Sequence, residues 1–175
     1  MNFKHISLLL IAFFLMAFGL PKNIQKKVDK EIKDVFNIET FLFNTKIIPS
    51  EIAKKLPSKF GDNNLFKIES NSKFLGYAYV SKAPSKTDEF DYLVLLDKNL
   101  VVLKAKVLVY REDYGGEIGS KRWLKQFTGK TQQDALRYGD NIVAISGATI
   151  SVRAMTNAMN DLLKSLKILH SKNIL

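Results

Sequence analysis

The stretch FDYLVLLDKNLVVLKAKVLVY, residues 90–110, holds two runs of leucine, aromatic and β-branched side chains around the polar break Asp97-Lys98-Asn99. Runs of this length and composition read as strands, and a short break of turn-forming residues joins antiparallel neighbours as a hairpin. Lys104 and Lys106 alternate with apolar residues, which predicts one face of the second strand toward a core and the other toward water. Upstream, LFKIES (65–70) and KFLGYAYVSKA (73–83) have the same character, set apart by turn-like connectors around Asn71-Ser72 and PSKTDE. The segment from Leu65 to Tyr110 therefore reads as an antiparallel meander.

Helical periodicity brackets this meander. In KNIQKKVDKEIKDVF (22–36), Ile24, Val28, Ile32 and Val35-Phe36 recur every three or four residues among charges, as in an amphipathic helix. FNTKIIPSEIAKKLPSKFG (43–61) predicts a short helix starting near Ser50 and Glu51 and stopping before Pro57. Both are expected to be peripheral. At the other end, Ala148, Val152, Met155, Met159, Leu162, Leu163, Leu166 and Leu169 form an apolar stripe about twenty residues long, suited to packing on a sheet. Its methionines are expected in the core rather than against a ligand. The fold class is thus α+β, an antiparallel sheet packed by a long C-terminal helix and smaller peripheral helices in a single domain.

Composition narrows the chemistry. The 175 residues are 46% apolar and 11% aromatic, ordinary for a globular chain and far from a disordered one. There is no cysteine, so disulfides, thiolate-held iron–sulfur clusters and acylation on cysteine are all excluded. The two histidines are His5 and His170, near the two ends, which leaves a Ser-His-Asp or Cys-His hydrolase without a base and offers no histidine metal site. No catalytic acid or base and no metal ligand set is assigned.

Residues 6–20, ISLLLIAFFLMAFGL, form an unbroken apolar run between Lys4 and Pro21-Lys22, the pattern of a signal peptide or signal anchor. As a helix they span about 22 Å, short of the roughly 30 Å hydrocarbon core. Ala17 and Gly19 fit the −3 and −1 positions of a cleavage site, with a mature chain beginning near Leu20. Export is expected, to the periplasmic side or outer face of the cytoplasmic membrane, soluble or tethered by residues 6–20. The net charge of +10 favours anionic surfaces and acidic partners, although the lysines are dispersed as on a solvated face. No nucleic-acid motif with interleaved aromatics is present.

Two segments remain. REDYGGEIGSKRWLKQFTGK (111–130) places Gly115, Gly116 and Gly119 within five residues, followed by Trp123, Leu124 and Phe127 at helical spacing. Glycines at this density permit positive φ and close backbone approach, or simply a wide turn with aromatics capping the core. NIVAISGATISVRAMTNAM (141–159) runs from a strand-like segment through Ser146-Gly147-Ala148-Thr149 into the long helix. Ser146 falls at the expected N-cap, and Thr149 in the first turn, beside amides that lack intrahelical partners and favour an anion such as phosphate. On these grounds alone a plain capped helix and a phosphate site are both open.

AISGATIS (144–151), preceded by YGGEIGSKRWLKQFTGK (114–130), resembles the FMN-binding domain of the extracytoplasmic flavin subunits of Rnf-type complexes and the sodium-pumping NADH:quinone reductase. The similarity spans about residues 65 to 168. It divides the chain into residues 1–20 as signal, 21–60 as an N-terminal helical region and 61–170 as the FMN-binding domain. It implies an exported electron-transfer flavoprotein or redox subunit, rather than a stand-alone catalyst, with FMN esterified through its phosphate to Thr149 Oγ. It further implies a flavin transferase that uses FAD as donor, and a membrane electron-transfer partner. The cofactor contacts implied are Ser146, Gly147, Ala148 and Thr149 together with Gly115, Gly116, Glu117, Ile118 and Trp123, the flavin ring lying over the Gly-rich loop near Tyr114, Trp123 and Phe127. The family usually carries an aspartate three residues before the serine, where this chain has Val143, so FMN held without a covalent bond is the alternative. Ser146 and Ser151 are further hydroxyls in the stretch but do not match the family's attachment position. Readings from another class are a non-redox module for an anionic ligand and an assembly subunit with a decayed site.

Overall fold

The computed structural model describes residues 19–61 and 63–175. The apolar run expected to be a signal lies almost wholly outside the described residues. Five strands form one antiparallel sheet in the order β1-β2-β3-β4-β5: β1 (Leu42–Thr45), β2 (Leu65–Ser70), β3 (Lys73–Pro84), β4 (Glu89–Asp97) and β5 (Val102–Val109). Every neighbour in the sheet is also the next strand in sequence, so the meander needs no crossover. The predicted hairpin at Asp97 is present, with its carboxylate oxygen accepting the amides of Asn99 and Val101, each at 2.8 Å. β1 is a short edge strand paired with β2, and the patterning around Leu42 does not announce it.

The sheet is buried on both faces, which explains the continuous apolar run of β4. Alternate residues Tyr92, Val94 and Leu96 pack with Leu65, Tyr77 and Tyr79 against one helical layer. The intervening Leu93 and Leu95 pack with Phe66, Ile68, Ala78 and Val80 against the other. The period of two thus assigns residues to faces while both faces stay apolar.

The first layer is α4 (Thr149–Ser171), reached through α2 (Ser50–Ala53), α3 (Lys121–Leu124) and two single 3-10 turns, Gly116–Gly119 and Lys125–Phe127. The predicted stripe is its buried face: Val152, Met155, Met159, Leu162, Leu163, Leu166 and Leu169 are all fully buried. The second layer is α1 (Lys22–Phe36), whose Ile24, Val28 and Ile32 pack on the sheet. At roughly 1.5–3 kcal/mol for each fully buried aliphatic side chain, this helix contributes substantially to folding and is not peripheral.

The expectation for β5 needs correction for the same reason. Lys104 and Lys106 pair across from Leu95 and Leu93, on the face that α1 covers. They remain about one-third exposed only because they reach Glu31 of α1, which is nearly buried and forms ion pairs with both. The face expected to meet water is covered by a helix carrying the matching charge.

Candidate functional site

The small-residue turn does not begin at a sheet strand. Asn141 ends a turn and residues 142–145 belong to no strand, with one isolated bridge, Tyr138 to Ile142; Tyr138 is also the ring beneath the Arg153 guanidinium. What holds this segment is α3 and the 3-10 turn that follows it. Trp123 Nε1 donates to the Val143 carbonyl at 2.7 Å, and the Val143 amide donates to Gln126 Oε1 at 2.8 Å. Gln126 Nε2 in turn donates to the Trp123 carbonyl at 3.1 Å, closing a ring of three residues. The backbone of Val143 is thereby fixed while its side chain stands exposed.

Helix α4 begins at Thr149, with Ala148 and not Ser146 in the N-cap position. Ser146 and Gly147 form a turn two residues too early for a serine cap, Gly147 taking φ +86° in the left-handed region. No side chain caps the helix, so the first-turn amides at Thr149 face outward with the positive end of the helix dipole. Ala148 is buried and anchors the start, whereas Thr149 is exposed.

The Gly-rich loop packs on this turn. Gly115 has φ +85°, and a Cβ there would lie 2.6 Å from the Tyr110 hydroxyl and 3.7 Å from the Gly147 carbonyl. The Tyr110 hydroxyl donates to the Tyr114 carbonyl at 3.0 Å and lies 3.0 Å from Ser151 Oγ, linking β5's end, the loop and α4. A Cβ on Gly147 would stand 3.7 Å from the Glu117 carboxylate. Of the other expected contacts, Ile118 is fully buried beneath the loop, and Phe127 is buried with its ring edge-on to Trp123. Gly116 is exposed with open space around its Cα.

Two cavities flank the Ser146-Gly147 ridge. The larger, about 620 Å³, is walled by Trp123, Gln126, Arg122, Glu117 and residues 143–146. The smaller, about 230 Å³, is walled by Lys86, Tyr110, Glu112, Tyr114, Gly115 and residues 147–151. Sequence reasoning overlooked Lys86, Tyr110, Arg122, Glu112 and Gln126, because they sit in turns or at strand and helix ends with no spacing pattern. Of the large apolar side chains that remain exposed, Tyr114, Val143 and Ile150 all rim these two cavities. A third cavity of about 610 Å³, lined by Ser58, Tyr79, Tyr92 and Asp161, involves α4 only some 14–18 Å further along and none of the motif residues.

Glu112 is the most perturbed acid here. Its carboxylate is held down to about 2, first by the Ser85 hydroxyl and then by the Thr87 amide, with the Asp88 amide adding to them. Its Oε1 accepts from Ser85 Oγ and Thr87 N, both at 2.6 Å, and from Asp88 N at 3.1 Å.

The uncapped helix start thus lines the smaller cavity, and the larger, bounded by Ser146 of the same turn, lies in the size range of small-molecule sites. Residues 86–164 match the family model of the FMN-binding domain. The match begins at Lys86 and takes in β4, β5, the Gly-rich loop, α3 and α4 as far as Lys164, hence both cavity walls. No functionally curated protein matches the chain. The match supports a flavin-binding role, with FMN as the flavin.

Proposed function

We propose that FMN is joined to Thr149 through its phosphate and that the domain carries electrons on the outer side of the cytoplasmic membrane. The observation that carries this reading is the position of Thr149: an exposed hydroxyl at the uncapped start of a 23-residue helix, inside the FMN-binding match and in the wall of the smaller cavity. The residues fit the group. The first-turn amides and helix dipole suit a phosphodiester, which keeps one negative charge. The larger cavity, lined by Trp123, lies in the range of small-molecule sites, whereas the smaller fits only a phosphate and its first carbons. Gly147 forms the ridge between them, and without a side chain it leaves a bound chain free to pass.

Attachment requires a transferase with FAD as donor. Thr149 Oγ bonds to the flavin-side phosphorus, the pyrophosphate bond to AMP breaks, and the hydroxyl proton leaves to the transferase or water. FMN once bound supplies one- and two-electron redox chemistry, while the protein's part is to orient it and exclude water. Val143, in place of an acidic residue, projects to solvent without contributing charge, so the transferase must recognise this chain through other groups. In sequence only Pro21 separates residues 6–20 from α1, so a tether there would come without a long linker.

The test is intact mass after co-expression with a matching flavin transferase. An FMN-sized increment that disappears in Thr149→Ala supports the reading. Unmodified protein that retains extractable FMN replaces it with non-covalent binding, and a colourless protein that never takes up FMN defeats it.

A further inference from the structure

The turn between β3 and β4 is built more firmly than an exposed connector requires. Ser85 is buried, its amide donates to the Asp88 carbonyl at 2.7 Å, and its hydroxyl lies 2.8 Å from the same carbonyl. From the far end of β5, Glu112 brings one carboxylate oxygen to Ser85 Oγ, Thr87 N, Thr87 Oγ1 and Asp88 N. Four donors converge on one acceptor atom, and the residue they surround is Lys86. Its side chain has no ion-pair or hydrogen-bond partner among the described residues, and it lines the small cavity with Thr149.

Charge balance gives this placement a purpose. Glu112 is the sole carboxylate lining that cavity, and the oxygen it turns to the residues 85–88 turn is already engaged. The remaining positive contributions are the Lys86 ammonium and the end of the α4 dipole, worth about half a charge. Together they offset the Glu112 carboxylate and leave roughly half a positive charge to face a singly charged phosphodiester.

We propose that Lys86 is the cation that grips the flavin phosphate at Thr149, and that Glu112 is a positioning residue which sets Lys86 there by closing the residues 85–88 turn. This rests on the reading of Thr149 as the phosphate-bearing position. A lysine on an open loop would spread its charge over many rotamers; a fixed turn reduces that entropy before the ligand arrives.

The experiment compares FMN with riboflavin, which has the same ring and ribityl chain but no phosphate. The full chain and its Lys86→Ala, Lys86→Arg and Glu112→Gln variants are titrated with each flavin, and the rate of FMN-adduct formation with FAD and a flavin transferase is measured beside them. Lys86→Ala is expected to weaken FMN binding or slow adduct formation roughly tenfold, as for loss of one charge-assisted contact, with riboflavin binding unchanged. Lys86→Arg restores most of the loss. Glu112→Gln gives a phosphate-selective loss of the same kind, and adding it to Lys86→Ala costs little more. Equal FMN handling by Lys86→Ala and the parent chain overturns the proposal, as does a loss shared by riboflavin. A parent chain that takes up FMN by neither route defeats the Thr149 reading itself.

Discussion

At the residue scale the glycines of the Gly-rich loop are not equivalent. Gly115 needs its positive φ, and a methyl group there would press on the Tyr110 hydroxyl that ties the loop to Ser151. Gly115→Ala is therefore expected to cost about 2 kcal/mol in a urea titration, combining left-handed strain with displacement of Tyr110. Gly116→Ala meets nothing and is expected to change stability by less than about 0.5 kcal/mol. Glu112 gives a pH signature. Its carboxyl is favoured in the ionised form when folded, so its contribution to stability is complete above the ordinary carboxylate range near 4.5 and is lost as pH falls through about 2. The Thr87 amide resonance, followed by NMR down to acid pH, should titrate near 2 in the parent chain and not at all in Glu112→Gln. A midpoint near 4.5 would mean the clamp does not form. The sequence made Thr149 legible as a first-turn hydroxyl because spacing along a helix is local. The cap was misplaced by two residues because Ser146 has the right chemistry for a cap, while Gly147's left-handed turn displaces it from the position.

At the element scale, α4 and β4 were legible because their burial writes itself as period and as run length. The segment before Ser146 was not, since residues 141–145 are apolar enough for a strand but bond to side chains of α3 and the 3-10 turn after it instead of a sheet edge. Trp123 is the element that replaces that edge: it is buried, stacks edge-on with Phe127 and donates to Val143. Trp123→Phe keeps an aromatic ring but removes the donor. Its expected cost is about 1 kcal/mol, the typical net value of one intramolecular hydrogen bond, read as a lowered urea midpoint. The same variant loosens the wall of the larger cavity, so flavin fluorescence anisotropy should fall relative to the parent chain. An unchanged midpoint and anisotropy would place the anchor of this segment elsewhere.

At the scale of the whole molecule the decisive element is α1, whose amphipathic pattern was plain in the sequence but whose partner was not. Period alone says that Ile24, Val28 and Ile32 face something; only the topology shows that this is the second face of the sheet, formed by Phe66, Ile68, Ala78, Val80, Leu93, Leu95 and Leu108. Glu31 then supplies the carboxylate between Lys104 and Lys106, so removing α1 would uncover an apolar sheet face and strand two half-buried lysines without their counter-charge. A chain beginning at residue 38 is expected to lose cooperative unfolding and to bind a hydrophobic dye, although it retains the whole FMN-binding match. A chain beginning at residue 21 should unfold in one transition. Within that longer chain, Val28→Asp places an uncompensated charge against the sheet and should cost more than about 3 kcal/mol. Glu31→Gln should cost less, roughly 1–3 kcal/mol, because Lys104 and Lys106 keep partial access to water. If the chain beginning at residue 38 instead unfolded cooperatively, α1 would be a detachable appendage between the residues 6–20 run and the flavin domain, free to carry it away from a membrane. With α1 docked, the sheet and its Thr149 site move as one body with that helix.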